Sequence, residues 1–421
     1  MHDQRKFIGG ILKFSPGKEK WIDKSVEDLP KKVAVDFETG ISGILDMGNP
    51  RAVVWAKLID LQLRNKKPVY VEIDPETQVI TQVLIPETSR IMSLETMDNE
   101  DVDVVLYRAQ ARHYLNRGHP KFQEMLDALT NAKDNNLEVL ITATRHEHEI
   151  IDVRKSPKEP GAEEPNPLPP PPPDPPVSPE RAQELFDLMN SKSCDACSAA
   201  CYAIPHCIPF KHANDGCYAR AHEMCRLMMD DGETPEKVWI YGGLRVETSN
   251  VHQCIINWGW HVAPTLMVIQ PSGPDVMHVI DPSLCSAPVT VEDWKALQDD
   301  PGATLRYSGW EPFWSEWYLE DEEDWERLLI SDPDFSQTNN YLEQKCTYLV
   351  EDCELFGPPP YVCPIVKRCH FIVDRSMFSE SEVDAMLHDP SPAEITAAFY
   401  IVLDGFTPYE LGVTSDSLAG E

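Results

Sequence analysis

Residues 1–193 contain no cysteine, although the 421-residue chain holds twelve. That stretch therefore has neither a disulfide framework nor a thiol site. Basic residues are scarce: 37 Lys and Arg stand against 70 Asp and Glu, for a formal net charge of −33. Nucleic acid is excluded as a partner on this ground, because phosphate binding wants clustered Lys and Arg. An anionic membrane surface is excluded for the same reason. Apolar residues make up 42% of the chain, an ordinary share for a globular protein. Yet no apolar run approaches the ~20 residues of a membrane-spanning helix. The acidic excess reads as solubility, with basic protein substrates as the sharper alternative. The stretch from Met1 is also no secretory signal, since its apolar run is short and cut by Lys13. The expectation is a cytoplasmic location, with secretion by a signal-independent route left open.

Proline is what the chain has in excess. From Ser156 to Glu180 there are twelve, five of them consecutive at Pro169 to Pro173. Such a segment favours polyproline II and acts as a semi-rigid spacer. It divides the chain into residues 1–155, a linker 156–179, a region 180–372, and an extension 373–421 with helix-like stretches at Ser381–Leu387 and Ala393–Tyr400. In the first region, Lys32–Phe37 alternates as a strand, Pro68–Ile85 reads as a hairpin turning at Asp74–Thr77, and Val102–Tyr107 is another strand. Pro120–Ala132 has helical spacing, and Leu137–Thr144 and Glu149–Val153 read as strands. The expectation is a small, sheet-rich α+β domain with no catalytic constellation; targeting, adaptor or inhibitory roles all stay open. His146 and His148 read as a solvated strand end.

Beyond the linker, Pro179–Asn190 has helical spacing, and Val291–Gln298 reads as a short helix. The chemistry begins at Asp215-Gly216-Cys217-Tyr218-Ala219-Arg220-Ala221-His222. Tyr218, Ala221, Cys225 and Met228 fall at helical spacing, with Gly232 placed to end the helix. Cys217 would then sit in a first turn with Asn214 or Asp215 as N-cap, where the macrodipole favours the thiolate. Downstream, Val251–Ile269 reads as a strand bearing His261, and Met277–Asp281 as a second strand stopped by Pro282. A helix-start Cys, a strand His and a strand-end Asp can align thiolate, imidazole and carboxylate. Trp258 and Trp260 alternate about Gly259 and so share one face, as site wall or core. Trp310, Trp314, Trp317 and Trp325 lie in an acidic stretch and read as core packing, a substrate groove being the alternative.

Three motifs, Asp-Gly-Cys-Tyr-Ala-Arg-Ala-His at 215–222, Trp-x-x-His-Val-Ala at 258–263 and Ile-Asp-Pro-Ser-Leu at 280–284, closely resemble those of the bacterial protein-glutaminases, the protein-glutamine deamidases. The resemblance spans about residues 179–369, including Cys207-Ile208-Pro209-Phe210 and Thr338-Asn339-Asn340-Tyr341-Leu342. It implies a papain/transglutaminase-like α+β domain, with a Cys-bearing helix on an antiparallel sheet. It also implies Cys217 as nucleophile, His261 as general base and acid, and Asp281 orienting His261. The substrate would be a glutamine side chain in a protein or peptide, attacked through a thioester, with no cofactor or metal required. The Cys217 N–H is the expected oxyanion donor. Trp258, Trp260 and His222 are candidate substrate-binding residues, although a structural hydrogen bond suits His222 and an internal salt bridge suits Arg220. Transglutaminase-type acyl transfer shares the Cys-His-Asp order and is the alternative. A papain-like protease and an interaction protein or effector with a retired site stand further off. The cluster Cys194, Cys197, Cys201 with His206 or Cys207 admits zinc, free thiols, or the disulfides that the resemblance implies.

Overall fold

The computed structural model describes residues 5–14, 30–156, 175–195, 197, 201, 205–315 and 329–362. Residues 1–361 form one compact unit, to which every element below belongs, and residues 362–421 form a second. The helix-like stretches after Ser381, together with Trp317 and Trp325, lie outside the described residues.

The cysteine-free half is built twice from one plan. The first copy runs β1 (Arg5–Gly9), β2 (Ile11–Phe14), β3 (Lys32–Phe37), β4 (Ser42–Asp46), α1 (Pro50–Arg64), β5 (Val69–Ile73) and β6 (Ile80–Leu84). The second runs β7 (Glu87–Ser89), β8 (Ile91–Thr96), β9 (Val102–Leu106), β10 (His113–Leu115), α2 (Phe122–Asp134), β11 (Val139–Ala143) and β12 (Ile150–Lys155). In each copy three strands form a meander around β3 or β9, and the hairpin after the helix takes the copy's first strand as its third member. The left-handed residues repeat as well: Lys66 and Gln78 in the first copy, Asn136 and His148 in the second. Each copy has its own apolar core, one around Trp55, Ile59, Val71 and Ile73, the other around Val104, Leu106, Leu129 and Ile141.

The anticipated strands and hairpin of this half are all present, and the α2 helix falls where Pro120–Ala132 was read. Helix α1 has no counterpart in the sequence reading. Nine of its residues are buried around its circumference, so no clean polar face marks it. Pro50 in the first turn and the Asn49 side chain accepting from the Arg51 N–H start it well.

The cysteine-bearing half holds α3 (Pro179–Ser191), α4 (Cys217–Asp230), β13 (Glu236–Glu247), β14 (Ile255–Val268), β15 (Val276–Val279), β16 (Val289–Thr290), α5 (Val291–Ala296), β17 (Thr304–Ser308), β18 (Pro312–Ser315), β19 (Leu329–Ser331) and α6 (Ser336–Phe356). Its main sheet is antiparallel in the order β16-β15-β14-β13-β17. Val238 and Ile240 face one core with Trp294; Trp239 and Tyr241 face the other, where α4 packs. This is the expected α+β arrangement of a Cys-bearing helix on an antiparallel sheet. Disulfides Cys194–Cys207, Cys197–Cys353 and Cys201–Cys346 tie the loop after α3 to itself and to α6. The four sulfurs considered for zinc are thus all in disulfides, whereas Cys217, Cys225 and Cys285 are free. Among the described residues no helix is long and apolar enough to cross a membrane.

Candidate active site

Helix α4 starts at Gly216, not at a side-chain cap. Gly216 has φ +91°, and a Cβ there would lie 2.9 Å from Lys345 Cγ, so both the backbone and the space demand glycine. Neither Asn214 nor Asp215 caps the helix. Asp215 is instead committed to Lys345 of α6 at 2.7 Å. Burial acts to raise the Asp215 pKa, but Lys345 wins and holds the carboxylate low. Among the described residues Arg220 has no salt-bridge partner; its Nη1 donates to the carbonyls of His212 (2.9 Å) and Asp215 (2.8 Å). The guanidinium fixes the turn that presents Cys217.

Cys217 is 1% exposed. Burial pushes its thiol well up, while the Arg220 charge and the Val262 N–H work the other way. The helix-start thiolate expected from the sequence is therefore a neutral thiol in this closed state: desolvation outweighs the helix terminus. On β14, His261 Nε2 donates to Asp281 Oδ2 at 2.8 Å. Asp281 also accepts from Trp294 Nε1 at 3.0 Å, the Ser283 N–H at 3.1 Å and the Ser283 hydroxyl. Burial favours the neutral acid, yet His261 and these donors outweigh it and hold Asp281 at about 2. The imidazole is pushed toward the neutral form by burial, against the pull of Asp281. Since an ionised Asp281 only accepts, the ring proton sits on Nε2 and the Nδ1 lone pair is free to face the site. Trp258 and Trp294 both stack with the ring, at centroid distances of 4.8 and 5.3 Å.

Nδ1 is met by a residue from the other half of the chain. Gln110, fully buried, places Nε2 3.0 Å from His261 Nδ1 and accepts the Cys217 N–H on Oε1 at 3.3 Å. The Cys217 N–H can only donate, which settles which end of the amide is oxygen. The main chain beside Gln110 meets β14 in a single antiparallel bridge, Ala111 opposite Trp258. The Gly259 N–H donates to the Gln110 carbonyl at 2.9 Å, the Arg112 N–H to the Asn257 carbonyl at 3.2 Å, and Trp260 Nε1 to the Ala109 carbonyl at 3.1 Å. Sequence reasoning missed Gln110. The available signal was Arg108-Ala109-Gln110-Ala111-Arg112, a glutamine flanked by alanines and following strand β9.

Trp258 and Trp260 do not share a face. Trp258 packs with Leu244 and Trp294, and Trp260 with Cys217, Tyr218 and Trp239. The pairing of β13 with β14 shifts register between Tyr241 and Leu244, which breaks the alternation there. His222 is turned to another partner set: Nε2 to the Asp332 carbonyl at 3.1 Å and Nδ1 to Lys237 Nζ at 2.9 Å. Trp310 stacks with Phe335, and Trp314 is buried beside Tyr218. His146 and His148 are not a solvated strand end. His146 packs edge-on against His252, and His148 against His113.

Cysteine on a helix start, histidine on the adjoining antiparallel sheet and a carboxylate behind it make one α+β scaffold, with a carboxamide already seated between the thiol and the imidazole. Residues 182–298, which contain Cys217, His261 and Asp281, match the family model described as glutaminase. Among solved structures, a mutant of pro-protein-glutaminase is similar at 23% identity and TM-score 0.47, covering 68% of this chain and 98% of that one. Protein-glutaminase from Chryseobacterium proteolyticum is similar at 27% identity and TM-score 0.34, covering 46% and 97%. No curated protein sequence matches the chain.

Proposed function

We propose that this protein hydrolyses glutamine side chains of proteins or peptides to glutamate and ammonia, with Cys217 as nucleophile, His261 as base and acid, and Asp281 as the group that orients His261. The observation carrying this reading is the Gln110 carboxamide, whose oxygen lies on the Cys217 N–H and whose nitrogen lies 3.0 Å from His261 Nδ1. Those are the positions that an oxyanion and a departing ammonia require. The thiol passes its proton to Nδ1 as sulfur adds to the amide carbon. Nδ1 returns that proton to the leaving nitrogen, and a thioester remains. Water, deprotonated by His261, then releases glutamate and restores the thiol. Asp281 stabilises the imidazolium in both halves of the cycle. Trp260 and Gly259 hold the main chain on either side of the glutamine, which favours a protein or peptide over the free amino acid. In this reading residues 180–372 are the catalytic region, 156–179 a spacer, and 1–155 the part that occupies the site.

The test uses the full chain after limited trypsin treatment, with trypsin then inhibited, and casein as substrate. Ammonia release that requires Cys217 and converts glutamine to glutamate is the expected result. Incorporation of an added primary amine in place of water would assign transglutaminase-type acyl transfer instead, and silence would remove the reading.

A further inference from the structure

Gln110 is more than a plug. A segment that only had to fill the site could carry any small side chain, yet this one presents the functional group that the site is built to attack. Both polar atoms of that side chain are spent on the reacting machinery, Oε1 on the Cys217 N–H and Nε2 on His261. Its main chain is pinned on both carbonyls, Gln110 by the Gly259 N–H and Ala109 by Trp260 Nε1. We propose that Gln110 is itself a modification site, deamidated in cis by Cys217 to glutamate; the inference rests on the deamidation reading above. The step balances without any co-reactant but water. The Cys217 Sγ–Gln110 Cδ bond forms and the Cδ–Nε2 bond breaks, and ammonia leaves with the proton that His261 took from the thiol. Water then adds its oxygen to Cδ, the C–S bond breaks, and the sulfur recovers a proton through His261.

The product no longer fits its seat. Where the Gln110 NH2 donated to the bare Nδ1, residue 110 would present a second acceptor oxygen. It would do so with the Asp281 carboxylate behind the ring and the Asp215 carboxylate on the Gln110 N–H, at 3.3 Å. A buried carboxylate in that company must draw a proton onto His261 or leave. One turnover in cis therefore loosens the segment that closes the site, and the chain carries its own single-use release.

Intact mass and peptide mapping of the full-length wild type, against full-length Cys217→Ala, test this. After incubation the expected wild-type result is a gain of about one dalton on the peptide carrying Gln110, or a loss of about seventeen daltons while the internal thioester persists. The Cys217→Ala chain keeps an unmodified Gln110, alone and when mixed with wild type. Conversion of Gln110 in the mixed Cys217→Ala chain would overturn modification in cis. So would an intact Gln110 in wild-type chains that release ammonia from casein after trypsin trimming, and that outcome leaves the deamidation reading standing. An intact Gln110 with no ammonia from casein would remove both.

Discussion

The two halves of this molecule are held by different means. In the cysteine-bearing half, three disulfides fasten the loop after α3, two of them to α6, closing separations of 145 and 156 residues. The cysteine-free half grips the other half without any of these three bonds. Its hold joins packing to ion pairs: Tyr348 of α6 enters the core around Trp55, while Arg51 and Arg145 reach Glu351, Arg145 also reaches Asp352, Arg64 reaches Glu343, and Glu87 faces Lys345. All four carboxylate and ammonium partners lie on α6, the helix that the disulfides anchor. Gln110 and its neighbours add the contacts to β14. Covalent ties brace the half that carries Cys217, His261 and Asp281, and reversible ones hold the segment that meets them.

The largest expected effect lies in the chemistry and leaves both halves folded. Cys217→Ala should lower ammonia release from casein by roughly a thousandfold or more, with an unchanged circular dichroism spectrum. A residual rate near wild type would separate the activity from this site. Next comes the grip. Arg145→Ala leaves the buried Glu351 to Arg51 alone and Asp352 to His212 and His146, a loss below the ~3–5 kcal/mol of fully unpairing a buried charge. The cysteine-free half should become sensitive to trypsin while fragment 175–361 survives; equal protection in the variant would show that the pairing on α6 is not what holds closure. Replacing the Cys201–Cys346 bridge with Ala at both positions should act on the other half, by about 2–4 kcal/mol. Its midpoint in denaturant should fall, and cleavage within residues 5–155 should stay unchanged.

The smallest effect is that of pH. Burial pushes His113 down to about 4, against the pull of Asp215 and Asp103 and with Lys345 adding to the push. Burial also brings His146 to about 4, with Arg145 assisting and Asp352 opposing, and His148 to about 3, where His113 and His212 assist and Asp215 opposes. These groups bind fewer protons in the closed state than when exposed. Their contribution is therefore fully present above about pH 6.5 and is lost as pH falls toward 4. Hydrogen exchange at the Gly259 and Arg112 amides, corrected for intrinsic rate, should quicken over that range. Constant protection from pH 7 to pH 4 would place these histidines outside the closure.

The site was far more legible than the half that covers it. Cys217, His261 and Asp281 sit in motifs whose chemistry dictates residue type and order, and α4 and β14 carry clear periods. Helix α6 was invisible as a helix because Glu343, Lys345, Thr347 and Glu351 are buried polar residues, gripped by charges from the other half, so no apolar stripe survives. The duplication in residues 5–155 escaped notice because it lies in left-handed turn positions and strand pairing, not in matching side chains. Gln110 was missed for a further reason: its meaning depends on β14, about 150 residues away, and no local pattern records that contact.

The most direct test of the central claim follows casein deamidation in 18O-labelled water with a primary amine present, using the trypsin-trimmed wild type and Cys217→Ala. The account predicts one labelled oxygen in each new glutamate for each ammonia released, no amine incorporated, and loss of both signals in the variant. Amine in place of labelled oxygen, or ammonia that persists without Cys217, would contradict it.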